Sequence, residues 1–169
     1  LTLNGNFDAG GQSVNAGVVD ASGSATRTVS MGSGTWTISG NVDLSGANLT
    51  WNQNTSTLTI TITATLTGGG KSVNNLNASA TGLTVTLSGN LTVAGNFVVS
   101  AGCTFSAGSG TLTITGNYTN NGVFTAGTST VVFNGTSTLI GATNFYNLTF
   151  SAGATVNLTK GHIFSSNSA

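Results

Sequence analysis

The chain has 169 residues, of which Thr (31), Gly (25), Asn (20) and Ser (20) make up 96, while Asp, Glu, Lys and Arg together supply six and the net charge is zero. With no Glu, no Pro, one Arg and two Lys, there is nothing from which to build the exposed faces of a helical bundle, a coiled coil or a doubly wound α/β enzyme. A chain that is 38% hydrophobic with regular spacing is not a disordered one either, so an all-β protein with an uncharged, hydroxyl-rich and amide-rich surface remains.

Predicted strands follow one another along the whole chain. The sequence opens on "LTLNGNF", an uncharged and uncapped start in which Leu1, Leu3 and Phe7 are the apolar residues. "GTWTISGN" (34–41) then alternates apolar and polar residues, the two-residue period of a strand, and ends on a Gly-Asn corner. Residues 56–67, "STLTITITATLT", carry the clearest alternation: Leu58, Ile60, Ile62, Ala64 and Leu66 fall on one face and the Thr residues on the other. The same grammar returns in "GLTVTLSGN" (82–90), "GTLTITGN" (110–117), "STVVFNG" (129–135) and "ATVNLTKG" (154–161). Each run ends in Gly, Asn or both, residues that tolerate tight corners. No helix with usable caps is found.

Internal repetition narrows the architecture. "SMGSGTWTISGN" (30–41) matches "SAGSGTLTITGN" (106–117) at nine of twelve positions, "WNQNTSTL" (51–58) echoes "FNGTSTL" (133–139), and "NLNASATGLTVTLSG" (75–89) echoes "NLTFSAGATVNLTKG" (147–161). This predicts one domain, 1–169, with two tandem units of roughly 75 residues, about 30–89 and 106–161. Shorter periods lie inside, as between the Gly-Asn corners at Asn96 and Asn117. A short period nested in a long one reads as a solenoid. Hairpin-type Asn-Gly turns are scarce and the corners run Gly then Asn, so the expected fold is a parallel β-solenoid of about eight coils without helices rather than an antiparallel sandwich or barrel.

The string "TVVFNGTSTLIGATNFYNLTFSAGATVNLT" (130–159), with "GTLTITGNYTNNGVFTAGTS" before it, resembles the Gly/Asn/Thr-rich β-helical repeats of very large bacterial surface proteins. These include the passenger stalks of autotransporter and filamentous-haemagglutinin-like adhesins. The resemblance covers most of 82–161, and 30–67 more weakly. It implies a surface location and a structural role and brings no functional residue with it.

Candidates for chemistry are few. The carboxylates are Asp8, Asp20 and Asp43, and the imidazole is His162. A β-helix polysaccharide lyase or hydrolase needs clustered carboxylates, and only Asp20 and Asp43, 23 residues apart, are spaced to meet on adjacent coils. Turn-forming Asp is the plainer reading, and neither an enzyme nor any cofactor or metal is expected. Cys103 reads as a small buried apolar side chain. No basic stripe exists for nucleic acid and no stretch of 18 apolar residues for membrane insertion. The missing initiator Met and charged leader read as a processed product or an excised segment.

The expected function follows from architecture. An open solenoid exposes unpaired backbone groups on its end coils. The ends here lack a capping helix, charges or Pro, so Leu1, Leu3 and Phe7 at one end and Ile163 and Phe164 at the other are the expected assembly residues. The expectation is a non-enzymatic subunit of an extracellular filament or surface fibre, partnered head to tail by copies of itself. Alternatives are a segment of a monomeric adhesin stalk and an ice-binding solenoid. The latter would present a Thr-x-Thr array through Thr57, Thr59, Thr61, Thr63 and Thr65. Trp51 is the candidate for stacking on a cell-surface or matrix glycan.

Overall fold

A computed structural model describes residues 1–79 and 81–159 and forms a parallel β-solenoid of about seven turns, with no helix among the described residues. Every inter-strand pairing is parallel. The chain passes in turn over three faces. The first is built from Phe7–Asp8, Arg27–Ser30 and Leu49–Asn52, abutted by Ser72–Val73, Leu91–Val93, Thr111–Ile114, Thr130–Phe133 and Asn147–Phe150. Eight described strands make the second: Val14–Ala16, Thr35–Ile38, Thr57–Ile60, Asn75–Ala78, Phe97–Val99, Tyr118–Asn120, Thr136–Ile140 and Thr155–Leu158. Among the described residues the third stops earlier, with Val19–Asp20, Val42–Asp43, Ala64–Thr67, Thr84–Ser88, Thr104–Ser106 and Val123–Thr125.

Alternation within each strand sends one row of side chains inward, and parallel stacking lines that row up with its equivalents. On the second face the row runs Val14, Trp36, Leu58, Leu76, Phe97, Tyr118, Leu139 and Leu158. From Trp36 to Leu139 these side chains are buried. Aromatic rings concentrate the core: Phe97 lies 4.7 Å from Phe105 and 5.4 Å from Tyr118, centroid to centroid, and Phe145 packs on Phe124, Tyr118 and Phe133. In the N-terminal half Trp36 holds the centre, edge-on to Phe7 and Trp51.

Corners are held by side-chain amides. Oδ1 of Asn41, Asn90, Asn96 and Asn117 each accepts a backbone N–H from the coil above, that of Thr65, Thr111, Asn117 and Thr138, at 2.8–3.1 Å. Asn96 N–H in turn donates to Asn75 Oδ1, so one corner carries an amide ladder through Asn75, Asn96 and Asn117. Glycine precedes Asn41, Asn96 and Asn117 because the coils approach closely there. A Cβ on Gly116 would fall 2.4 Å from the carbonyl oxygen of Gly95, inside any contact distance.

Three details differ from the sequence expectation. The described residues make about seven turns where about eight coils are expected. Residues 56–67 are not one strand: Thr57–Ile60 lies on the second face and Ala64–Thr67 on the third, with a bend between them that leaves Ile62 exposed. The alternation runs unbroken through this corner, so the pattern contains no sign of the bend. Of the three matched pairs of blocks, one keeps its faces, with Trp51 and Phe133 on the first and Leu58 and Leu139 on the second, and the other two change faces. Residues 35–38 of the first block form a second-face strand, whereas 111–114 of its match form a first-face strand. Corner and strand make one local module that serves any face.

Candidate functional site

The carboxylates are committed to turns. Asp8 Oδ1 accepts the N–H of Gly10 at 2.8 Å. Asp20 and Asp43 are register partners on the third face. Each accepts both the N–H and the hydroxyl of the Ser two residues on, Ser22 at 3.0 and 2.7 Å and Ser45 at 2.9 and 2.6 Å. Adjacent-coil placement of this pair was legible in the 23-residue spacing. The two Ser22 hydrogen bonds hold the Asp20 carboxyl below its ordinary value of 3.8, with the positive charges of Arg27 and the N-terminus adding to the effect. No group of three or more His, Cys, Asp or Glu side chains comes together among the described residues. His162 lies outside the described residues.

Arg27 is a residue that sequence reasoning passed over. It is buried, and its guanidinium donates to the carbonyls of Ala21, Gly23 and Ala25, tying down the corner that links the first turn to the second. Its register partner one turn on is Leu49, so the Arg stem continues an apolar row while its head satisfies a loop. Cys103 is fully buried, as a small apolar side chain. A polar cluster near the other end, also not anticipated, joins Tyr118, Asn120 and Thr143. Asn120 Nδ2 donates to Ala142 O at 2.9 Å and to Thr143 Oγ1 at 3.0 Å, Asn120 Oδ1 accepts Gly122 N–H, and the Tyr118 hydroxyl lies 3.1 Å from Thr143 Oγ1. Burial raises the Tyr118 phenol well above its ordinary value. The polar side chains of the cluster are turned onto the protein itself, so it is structural.

The surface candidates are redistributed. Trp51 is only 9% exposed and packs edge-on against Trp36, so its ring is core and offers no platform to a glycan. Thr57 and Thr59 lie on the second face and Thr65 on the third. Thr61 and Thr63 sit in the intervening corner, where the Thr61 hydroxyl donates to Ile38 O and Thr63 Oγ1 accepts the N–H of Thr84. The five do not form one plane. Several outward Thr residues of different turns are brought into register instead, on the third face.

The two ends differ. At the N-terminal end Thr2 bridges to Asp20, Leu3 N–H donates to Asp20 O at 2.8 Å, and Asp20 N–H donates to Leu1 O at 2.9 Å. Residues 1–3 thereby cover the first third-face strand. Leu3 is buried as a result, Leu1 stays exposed, and Phe7 is half-buried against Trp36. On the last described strands, inward positions are exposed. Phe150 is 48% and Leu158 49% exposed, whereas their partners one turn earlier, Phe133 and Leu139, are fully buried. Ile163 and Phe164 lie outside the described residues. No protein-family profile, curated protein or solved structure matches the chain.

Proposed function

We propose that the chain is a non-enzymatic structural element of an extracellular filament or surface fibre, lengthened head to tail by stacking one solenoid end on another. One observation carries the reading: Phe150 and Leu158 occupy core positions of the solenoid yet stand half-exposed, which is how a coil looks when its neighbour is not there. The outer edges of Asn147–Phe150 and Thr155–Leu158 offer the backbone groups for parallel pairing. The opposite end presents Phe7–Asp8 and Val14–Ala16 as the outermost strands of the same two faces, so a second copy of the chain can continue both sheets. Contact between unlike ends does not close on itself and propagates as a fibre. The extracellular placement rests on the resemblance to adhesin stalk repeats.

Electron micrographs of the purified chain, with sedimentation velocity over a concentration series, test the proposal. Unbranched rods of variable length and a sedimentation coefficient that rises with concentration are expected. A monodisperse monomer at every concentration overturns the assembly and leaves the stalk-segment alternative, in which the next coil would belong to the same polypeptide.

A further inference from the structure

The third face carries a second array that the assembly does not use. Thr65, Thr86, Ser106 and Thr125 form one outward row across four successive turns, paired in register, and Thr84 and Thr104 stand beside them in a parallel row. Between the rows Val85, Phe105 and Phe124 point inward and are buried, so the hydroxyls project on the other side. None of the four strands, Ala64–Thr67, Thr84–Ser88, Thr104–Ser106 and Val123–Thr125, contains a charged side chain. The hydroxyls repeat about every 4.8 Å along the rod and about every 6.7 Å along a strand. The backbone ladder fixes both spacings, so little ordering entropy is left to be lost on contact with a rigid surface.

We propose that this face is an adsorption plane for ice. Its two repeats lie close to the in-plane oxygen repeats on the prism face of hexagonal ice. Thr supplies what such a surface needs: a hydroxyl that takes a lattice hydrogen bond and a methyl that holds liquid water away. Charged groups, which organise water around themselves instead, are absent from these four strands; the Asp residues of the third face, Asp43 and Asp20, lie one and two turns before them. A crystalline polysaccharide is the competing flat surface, but it would be gripped by exposed aromatic rings, and the aromatic side chains of these four strands, Phe105 and Phe124, are buried. The proposal is independent of the end-to-end assembly, since the face runs along the side of the rod and is the same in a single copy.

The test is thermal hysteresis of the purified chain, with partition into slowly grown ice as a second readout. The intact chain is expected to separate melting from freezing and to enter the ice. Thr86→Lys, at the centre of the array, should abolish both, while Thr113→Lys on the first face keeps both, each with an unchanged circular dichroism spectrum. Should T86K fail to fold, Thr125→Lys on the outermost, exposed strand takes its place. Absence of hysteresis and of ice partition in the intact chain overturns the proposal, as does full activity in the folded array variant. Binding to powdered crystalline cellulose or chitin that T86K removes, without ice activity, overturns it too and hands the face to a polysaccharide.

Discussion

At the scale of single residues, the stability of this rod rests on polar side chains that replace absent charges. Asn96 Oδ1 accepts from the coil above while Asn96 N–H donates to the coil below, so Asn96→Ala removes one solvent-edge hydrogen bond and is expected to cost about 1 kcal/mol in urea denaturation. Asn120 is buried, and removing its amide breaks three hydrogen bonds at once, those to Ala142 O and to the buried Thr143 hydroxyl and that from Gly122 N–H. Asn120→Ala should therefore cost more, about 2–3 kcal/mol. Titration separates two further residues. Asp20 has its folded-state value lowered below 3.8, so the stability it contributes is present above that value and is lost as pH falls through the folded value. Tyr118 is raised above 10.0, so its contribution is present below pH 10.0 and is lost as pH rises beyond it. The urea midpoint should fall at both extremes, with Asp20→Asn flattening the acid limb and Tyr118→Phe the alkaline one.

At the scale of strands and corners, close stacking decides which glycines matter. Gly116→Ala places a Cβ 2.4 Å from Gly95 O and must push the stacked coils away from each other, whereas a Cβ on Gly5 meets nothing within 4 Å. Overpacking of this kind costs about 1–3 kcal/mol, against a change within about 0.5 kcal/mol for Gly5→Ala, and parallel urea melts of the two variants check the contrast. The strand content was open to sequence reading because alternation is a direct image of a half-buried strand. The Gly-Asn corners were legible for the same reason: each Asn answers one hydrogen-bonding need at one place. Turn boundaries were not. Register partners on adjacent coils stand anywhere from 17 residues apart, as Val131 and Leu148, to 24, as Val42 and Leu66, so no fixed period exposes them. The corner at 61–63 lacks Gly and Asn altogether and hid inside an unbroken Thr alternation. That concealment put Thr57 and Thr59 in the same expected array as Thr65. The in-register rows on the third face emerge only once Thr65, Thr86 and Ser106 are known to be neighbours.

At the scale of the whole molecule, the near absence of charge bears on the proposed assembly. Charges placed on exposed strand edges are a common guard against edge-to-edge pairing, and residues 147–159, which carry the last two described strands, contain none. In the proposed assembly, association through these strands would join backbone donors to acceptors and cover Phe150 and Leu158, with no ion pair for salt to screen. Sedimentation profiles should accordingly be the same at low and at high sodium chloride, shift toward larger species in sulfate, and shift toward monomer on cooling, since hydrophobic burial weakens in the cold. Phe150→Lys puts a charge where the next coil would bury it. A half-exposed side chain contributes little to the isolated chain, so this variant should melt close to the parent while remaining monomeric. Rods that persist in Phe150→Lys, or that dissolve in sodium chloride alone, would mean that the contact between copies lies elsewhere on the molecule.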